Sequence, residues 1–255
     1  MKNVFVYRGF NWSKVSKNNL KKIKDTGNEV YISYDNTNSF EIAEENVFYY
    51  NNYDYFYWGY HLPSTTQIKS RKPERIPENA GYSWYNPEYA FLQTIKKFNI
   101  ESDYYWNTED DVFCKNWNKT MELVENNKSD FIGTYLSHKL SEDRFYDFKD
   151  EDYKFKVEEK HKYRSFGVLQ RYSHQLVQNL IRYYEEYYFH AFYEYSVPTI
   201  ASMTGLKLDD FNNQGEEVYS FRTLRGQELM ADELNKNRDF INKNYLFHPI
   251  RSVLL

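Results

Sequence analysis

An aromatic run, Tyr104-Tyr105-Trp106, passes through Asn107 and Thr108 into three consecutive acids, Glu109-Asp110-Asp111. Apolar runs seek the core, whereas an ionised carboxylate left unpaired there costs several kcal/mol. The chain must therefore carry a buried strand straight into a place where carboxylates meet water or a cation. In an open α/β sheet, the carboxyl ends of strands are where ligands sit. Two readings fit: a divalent cation holding a phosphorylated substrate, or a solvated loop after a strand, which acid clusters commonly form.

The surrounding elements favour a sheet of that kind. Val4-Phe5-Val6-Tyr7 reads as a strand turning at Arg8-Gly9, Ser13 can cap a helix over about 14–24, and Gly27 is placed to end it. Glu29 to Tyr34 is a second strand that stops at Asp35-Asn36. This strand–helix–strand order predicts a central, mostly parallel sheet flanked by helices, in one α/β domain over 1–255. Asp54 to Tyr60 is expected as a third strand, and 61–80, with three prolines and no periodicity, as a long loop. Asn86-Pro87-Glu88 carries the signals of a helix start, running to about Phe98. Further on, the pattern predicts a helix over 117–125, a strand over 131–135 and a loop over 137–162. Helices then follow over 173–188 and from Glu194 or Pro198, and a closing strand over 245–250. No repeat or domain boundary is visible.

Composition excludes several classes. The 255 residues are 41% hydrophobic and 27% charged, as in globular rather than disordered chains. A net charge of −4 gives no support to nucleic-acid binding. No apolar run is long enough to span a bilayer, and the first residues lack the features of a signal peptide, which leaves peripheral membrane association open. The single Cys114 allows no internal disulfide and fits a reducing cytoplasmic setting; it reads as packed rather than nucleophilic, since no positive partner is near in sequence. Aromatic residues reach 20%, with 27 Tyr. Such rings can stack on sugars or bases. The abundance of Asn, Lys, Tyr, Phe and Ile is also what an AT-rich genome produces.

Three segments together carry a resemblance. Tyr85-Asn86-Pro87-Glu88-Tyr89, Asp103 to Trp106, Glu109-Asp110-Asp111-Val112 and Trp117 form the central one; His190 to Thr199 and Phe247-His248-Pro249-Ile250-Arg251 are the others. They resemble glycosyltransferases of the GT-A fold, in particular a group with a Trp-x-x-Glu-x-Asp-Val acidic motif. The last segment resembles a His-Pro-Val/Ile-Lys ending that supplies a C-terminal metal-binding histidine, with Arg251 departing from the usual lysine.

The resemblance implies transfer of a sugar from a nucleotide-diphosphate donor to a glycan or glycolipid acceptor. Mg²⁺ or Mn²⁺ would neutralise the charge growing on the leaving diphosphate. Hard carboxylate oxygens suit either ion, and an imidazole beside them favours Mn²⁺. Asp111 is expected as the direct ligand, with His248 as the second and Glu109 beside them; Glu109 or Asp110 would face the donor sugar or ribose. Glu194 is the expected general base of an inverting transfer. In a retaining enzyme it would only bind acceptor, and an acid in the first turn of a helix also arises simply from the dipole. Tyr7, Arg8, Asp35 and Asn86 join Asp110 as the nucleotide-sugar contacts, with Tyr7 stacking on the base and Arg8 meeting phosphate. Arg171, in a segment like the family's Arg-x-Ser element, is expected on acceptor or phosphate. Two rival functions stand beside this one. A non-catalytic glycan-binding module would use the aromatic excess but need no acid triplet with a distant histidine. A metal-dependent nucleotide-sugar hydrolase would share the metal site and use water.

Overall fold

The computed structural model describes residues 1–10, 12–37, 41–60, 62, 81–114, 116–138, 157–189, 191–214 and 246–247. Strand β1 (Asn3–Gly9) leads into helix α1 (Lys14–Lys24), then β2 (Glu29–Asp35) and β3 (Val47–Tyr50). Helices α2 (Gly81–Tyr85) and α3 (Pro87–Phe98) precede β4 (Tyr104–Glu109) and the short β5 (Phe113–Cys114). Next come α4 (Trp117–Val124), β6 (Phe131–Ser137), β7 (Arg164–Ser173), α5 (His174–Glu185), α6 (Tyr193–Met203), β8 (Leu208–Asp210) and β9 (Leu246–Phe247). No helix among the described residues is long and apolar enough to cross a membrane.

Among the described residues, seven strands form one sheet in the order β3-β2-β1-β4-β7-β6-β8. β7 is antiparallel to both of its neighbours, β4 and β6, while every other pairing in the sheet is parallel. Six strands therefore point their carboxyl ends to one edge, and the chain is an α/β fold with a mostly parallel central sheet. The register sets Arg8 opposite Glu109 and Asp35 opposite Tyr50 at that edge.

The pleat sends alternate side chains to two separate cores. Val4, Val6, Tyr105 and Tyr172 pack under α3, α5 and α6 on one face. Phe5, Tyr7, Trp106 and Ile132 pack on the other, with Trp117 and Val124 of α4 and Leu20 and Ile23 of α1. Trp106 stacks on Phe5 at 5.4 Å between ring centroids and is 1% exposed, so β4 is anchored deep before it reaches the acids. Cys114 is packed as expected, beside Thr120 Oγ1 at 3.3 Å, and burial pushes its thiol up to about 12.

Several expectations need correction. The third strand is Val47–Tyr50, not 54–60. There, the Asp54 carboxylate accepts from the Asn51 N–H at 2.7 Å and the Asn51 side chain accepts from the Tyr53 N–H at 2.8 Å. Those local bonds fold the segment into a 3₁₀ turn, Asp54–Phe56, in place of a ladder. β7 was not foreseen: Arg164–Ser173 lacks clean alternation because it is covered on both faces. Ser173 is the cap of α5 rather than its first residue, its hydroxyl accepting from the Leu176 N–H. Ser13 caps α1 as expected. Asn86 sits at the cap position of α3 without capping it. Of the expected 61–80 loop, all but residue 62 lies outside the described residues.

Candidate active site at the carboxyl edge

β4 delivers its three acids to this edge into three different settings. Glu109, the last strand residue, turns toward the α6 face. Its Oε1 accepts from Arg8 Nη2 at 3.2 Å and from the Tyr193 hydroxyl at 3.2 Å. The same Arg8 nitrogen donates to the Gly167 carbonyl at 2.9 Å, and the guanidinium lies 5.4 Å from the centre of the Tyr193 ring. Gly167 in turn donates its N–H to Glu194 Oε1 at 3.3 Å. A Cβ on Gly167 would stand 1.9 Å from the Tyr193 ring, so only glycine lets β7 pass this close. The clamp thus ties β1, β4, β7 and α6 together around two carboxylates. Burial opposes the charge on Arg8, but Glu109 together with Tyr193, Tyr172 and Tyr50 outweighs it and holds the guanidinium firmly protonated. Burial, then Glu109 and Glu194, raise the Tyr193 phenol, so it stays a donor.

Asp110 turns the other way, toward the amino end of α1. Its Oδ2 accepts from the Ser16 hydroxyl at 3.0 Å, and its carbonyl from the Asn19 amide at 3.1 Å. The Tyr7 hydroxyl lies between the carbonyls of Ser16 (2.8 Å) and Asp110 (2.9 Å). Burial, then the neighbouring Asp111, pushes the Asp110 carboxyl up to about 7. Asp111 is partly exposed beside it.

Asp35, at the end of β2, is 2% exposed. Its Oδ1 accepts from the Thr37 N–H at 2.9 Å and hydroxyl at 2.5 Å, while Oδ2 is buried without a hydrogen-bond partner. Asn86 donates to Glu88 at 3.2 Å and to the Ala191 carbonyl at 3.1 Å, tying α3 to the segment before α6. Burial pushes Glu88 itself up to about 8.

The structure thus brings Arg8, Glu109 and Glu194 together, with Tyr7 beside Asp110. It does not bring Arg171 to them. That guanidinium donates to the carbonyls of Val124, Asn127 and Ser129, at 2.9, 2.7 and 3.3 Å, and stacks 4.0 Å over Tyr104. These partners precede β6 and begin β4, so Arg171 ties elements at the opposite edge. The Tyr7 ring is fully buried, which corrects the expected stacking on a base. Arg8 gives its Nη2 to Glu109 and Gly167, while its buried Nε has no hydrogen-bond partner. His248 lies outside the described residues; β9, which ends at Phe247, pairs that residue with Phe113, two residues beyond Asp111.

Among the described residues no three of His, Cys, Asp and Glu group as a metal site. Asp110 and Asp111 nonetheless fit a hard divalent cation in their chemistry. They are adjacent carboxylates whose mutual repulsion already raises one of them, and positive charge would relieve it. The Glu109 oxygen held by Arg8 fits less well. Reading the sequence missed Tyr193 as a partner of Glu109, and Gly167 as the gap that admits it. The available signal was a lone glycine between bulky residues.

No protein-family model matches the chain, and no curated protein matches its sequence significantly. Among solved structures the chain is similar to an active-site mutant of LgtC, a galactosyltransferase, over 98% of this chain and 88% of that one, at 10% identity and a TM-score of 0.45. It is similar to 4-diphosphocytidyl-2C-methyl-D-erythritol synthase from Anaerococcus prevotii over 82% and 88%, at 10% identity and 0.41. A glycosyltransferase involved in glycosylation of the major capsid of PBCV-1 matches over 96% and 82%, at 7% identity and 0.32. At such values the likeness assigns no residue a role.

Proposed function

We propose that the chain is a metal-dependent glycosyltransferase, moving a sugar from a nucleotide-diphosphate donor to a carbohydrate acceptor with inversion. The observation that carries this reading is the splitting of one acid triplet into separate tasks at the carboxyl edge. Asp110 and Asp111 are left to share a cation, while Glu109 is fixed by Arg8 and Tyr193 with Glu194 one contact away. The Trp-x-x-Glu-x-Asp-Val resemblance supports it independently.

In this reading Asp111, with Asp110 and His248, would hold Mn²⁺ or Mg²⁺. When bound, the ion supplies Lewis-acid stabilisation of the departing diphosphate. Glu109, oriented by the two donors on its Oε1, faces the donor sugar. The free oxygen of Asp35 accepts from ribose or base. Glu194 takes the proton of the acceptor hydroxyl as that oxygen attacks the anomeric carbon. Tyr7 and Ser16 position Asp110, and Arg8 and Tyr193 position Glu109.

A panel of nucleotide sugars, each with Mn²⁺, Mg²⁺ or chelator, tests the reading by melting shift and by release of nucleotide. At least one donor should raise the melting point only with metal, since a ligand of the folded state stabilises it by mass action. Absence of any metal-dependent shift across the panel would overturn the reading. Nucleotide release that no acceptor accelerates would favour a hydrolase instead.

A further inference from the structure

Among the described residues, three of the seven exposed large hydrophobic side chains lie on one short turn. Tyr53, Phe56 and Tyr57 are 70, 59 and 84% exposed, on the turn that follows β3. Phe10, directly after β1, and Tyr135, near the end of β6, are 46 and 37% exposed at the same edge as the acids. Tyr135 holds φ at 53°, a left-handed conformation that is costly for a bulky residue and concentrates at functional sites.

The Tyr53–Tyr57 rings are rigidly mounted. The Asn51 and Asp54 side chains lock the turn, and Phe56 leans edge-on against Tyr82 at 5.4 Å. Beneath them Tyr55 is fully buried, 4.4 Å from Trp58. A 3₁₀ turn eclipses positions three apart, so Tyr53 and Phe56 project from the same side. Contiguous exposed apolar surface marks an interaction site, and here it is made of rings that also carry hydroxyls.

We propose that Tyr53, Phe56 and Tyr57 form a stacking platform for a neutral oligosaccharide, the acceptor chain of the transfer reaction proposed above. Sugar rings present C–H faces to stack and hydroxyls to meet the phenols. Charge selects against the other ligands that favour aromatic surfaces. Asp54 is the lone charged residue from 51 to 60, the adjoining edge holds Glu109 to Asp111, and the chain carries −4 overall. A nucleic-acid backbone or an anionic bilayer would meet repulsion with no lysine or arginine on the turn to offset it.

The test uses the full chain and a panel of fluorescently labelled neutral and acidic oligosaccharides, read by anisotropy. Co-sedimentation with phosphatidylcholine vesicles, with and without phosphatidylglycerol, runs beside it. The unmodified protein should bind at least one neutral oligosaccharide of the panel. Tyr57→Ser should weaken that binding roughly 3- to 10-fold and Tyr53→Ser with Tyr57→Ser roughly 10- to 100-fold, while Tyr57→Phe keeps most of it. Both side chains are mostly in water, so melting points should move by no more than about 2 °C. Binding of no oligosaccharide, equal binding by the double variant, or vesicle binding that the double variant loses would each overturn the proposal. Metal-dependent nucleotide binding is scored separately. Ring-dependent glycan binding without it keeps the platform and removes the transferase; the converse keeps the transferase and removes the platform.

Discussion

Two strands of the same sheet end in adjacent acids at the same edge, and the two ends are surrounded differently. At the end of β8, Asp209 accepts from the Asp210 N–H and Asn213 on one oxygen, and from Asn127 and Gln214 on the other, all within 2.9 Å. Asp210 accepts from both nitrogens of Asn212 and from the Leu136 N–H. Although burial acts against the charge on Asp209, these bonds outweigh it and hold the carboxyl below its ordinary value, whereas burial wins at Asp210 and raises its carboxyl despite its donors. At the end of β4, by contrast, Asp110 has the Ser16 hydroxyl and the Phe10 N–H as donors, lies beside Asp111, and its carboxyl rises to about 7. On the reading proposed above, the donor-rich acids of β8 form a turn and the acids of β4 hold the cation. Acid content at a strand end separates nothing until the donors around it are counted.

Breaking each end should therefore give different symptoms. The largest effect is expected from Glu194→Gln, which keeps the shape near Gly167 but removes the base. Turnover should fall roughly 10²–10⁴-fold with donor binding nearly unchanged, read by steady-state kinetics once a donor is known. Arg8→Met leaves Glu109 with no cation beside it and should cost about 3 kcal/mol in urea unfolding, with Arg8→Met plus Glu109→Gln recovering part of that loss. Asp209→Asn exchanges one accepting oxygen for an NH2 group, forfeits two of the four accepted hydrogen bonds at β8 and should cost about 1–3 kcal/mol, leaving metal-dependent nucleotide binding intact. A variant that instead lost nucleotide binding would erase the contrast between the two ends.

The smallest effect is a pH slope. Asp110 has a folded value near 7 against an ordinary 3.8, so the folded state holds its proton more tightly than the unfolded state. Its contribution is fully present below about pH 4 and is lost as pH rises toward 7. Urea midpoints across that window should show a downward component that Asp110→Asn removes. Saturating Mn²⁺ should reverse its sign at the upper end.

Much of this layout was legible in the sequence, for physical reasons particular to each residue. Ser13, the α1 pattern and the strand–helix–strand order are local signals, and they predicted the parallel β1–α1–β2 unit correctly. The acid triplet could be placed at a carboxyl edge because Trp106 and its neighbours must be buried first. β7 was illegible, since a strand covered on both faces carries no alternation and Gly167 reads as a break. Arg171 looked functional because nothing in sequence foretells three distant carbonyls converging on one guanidinium. The pairing of Arg8 with Glu109 depends on a register between strands about 100 residues apart, which only the assembled sheet creates.

Isothermal titration of UDP and GDP, with and without Mn²⁺, into the unmodified protein, Asp111→Asn and Asp209→Asn tests the division between the two acidic ends most directly. The unmodified protein and Asp209→Asn should bind one of the nucleotides only when Mn²⁺ is present. Asp111→Asn should keep its fold and weaken that binding by about 100-fold or more, because the amide retains the shape but loses the charge that draws the cation. Equal metal-dependent binding by Asp111→Asn, or loss of binding in Asp209→Asn instead, would contradict the assignment of the β4 acids as the metal-holding end.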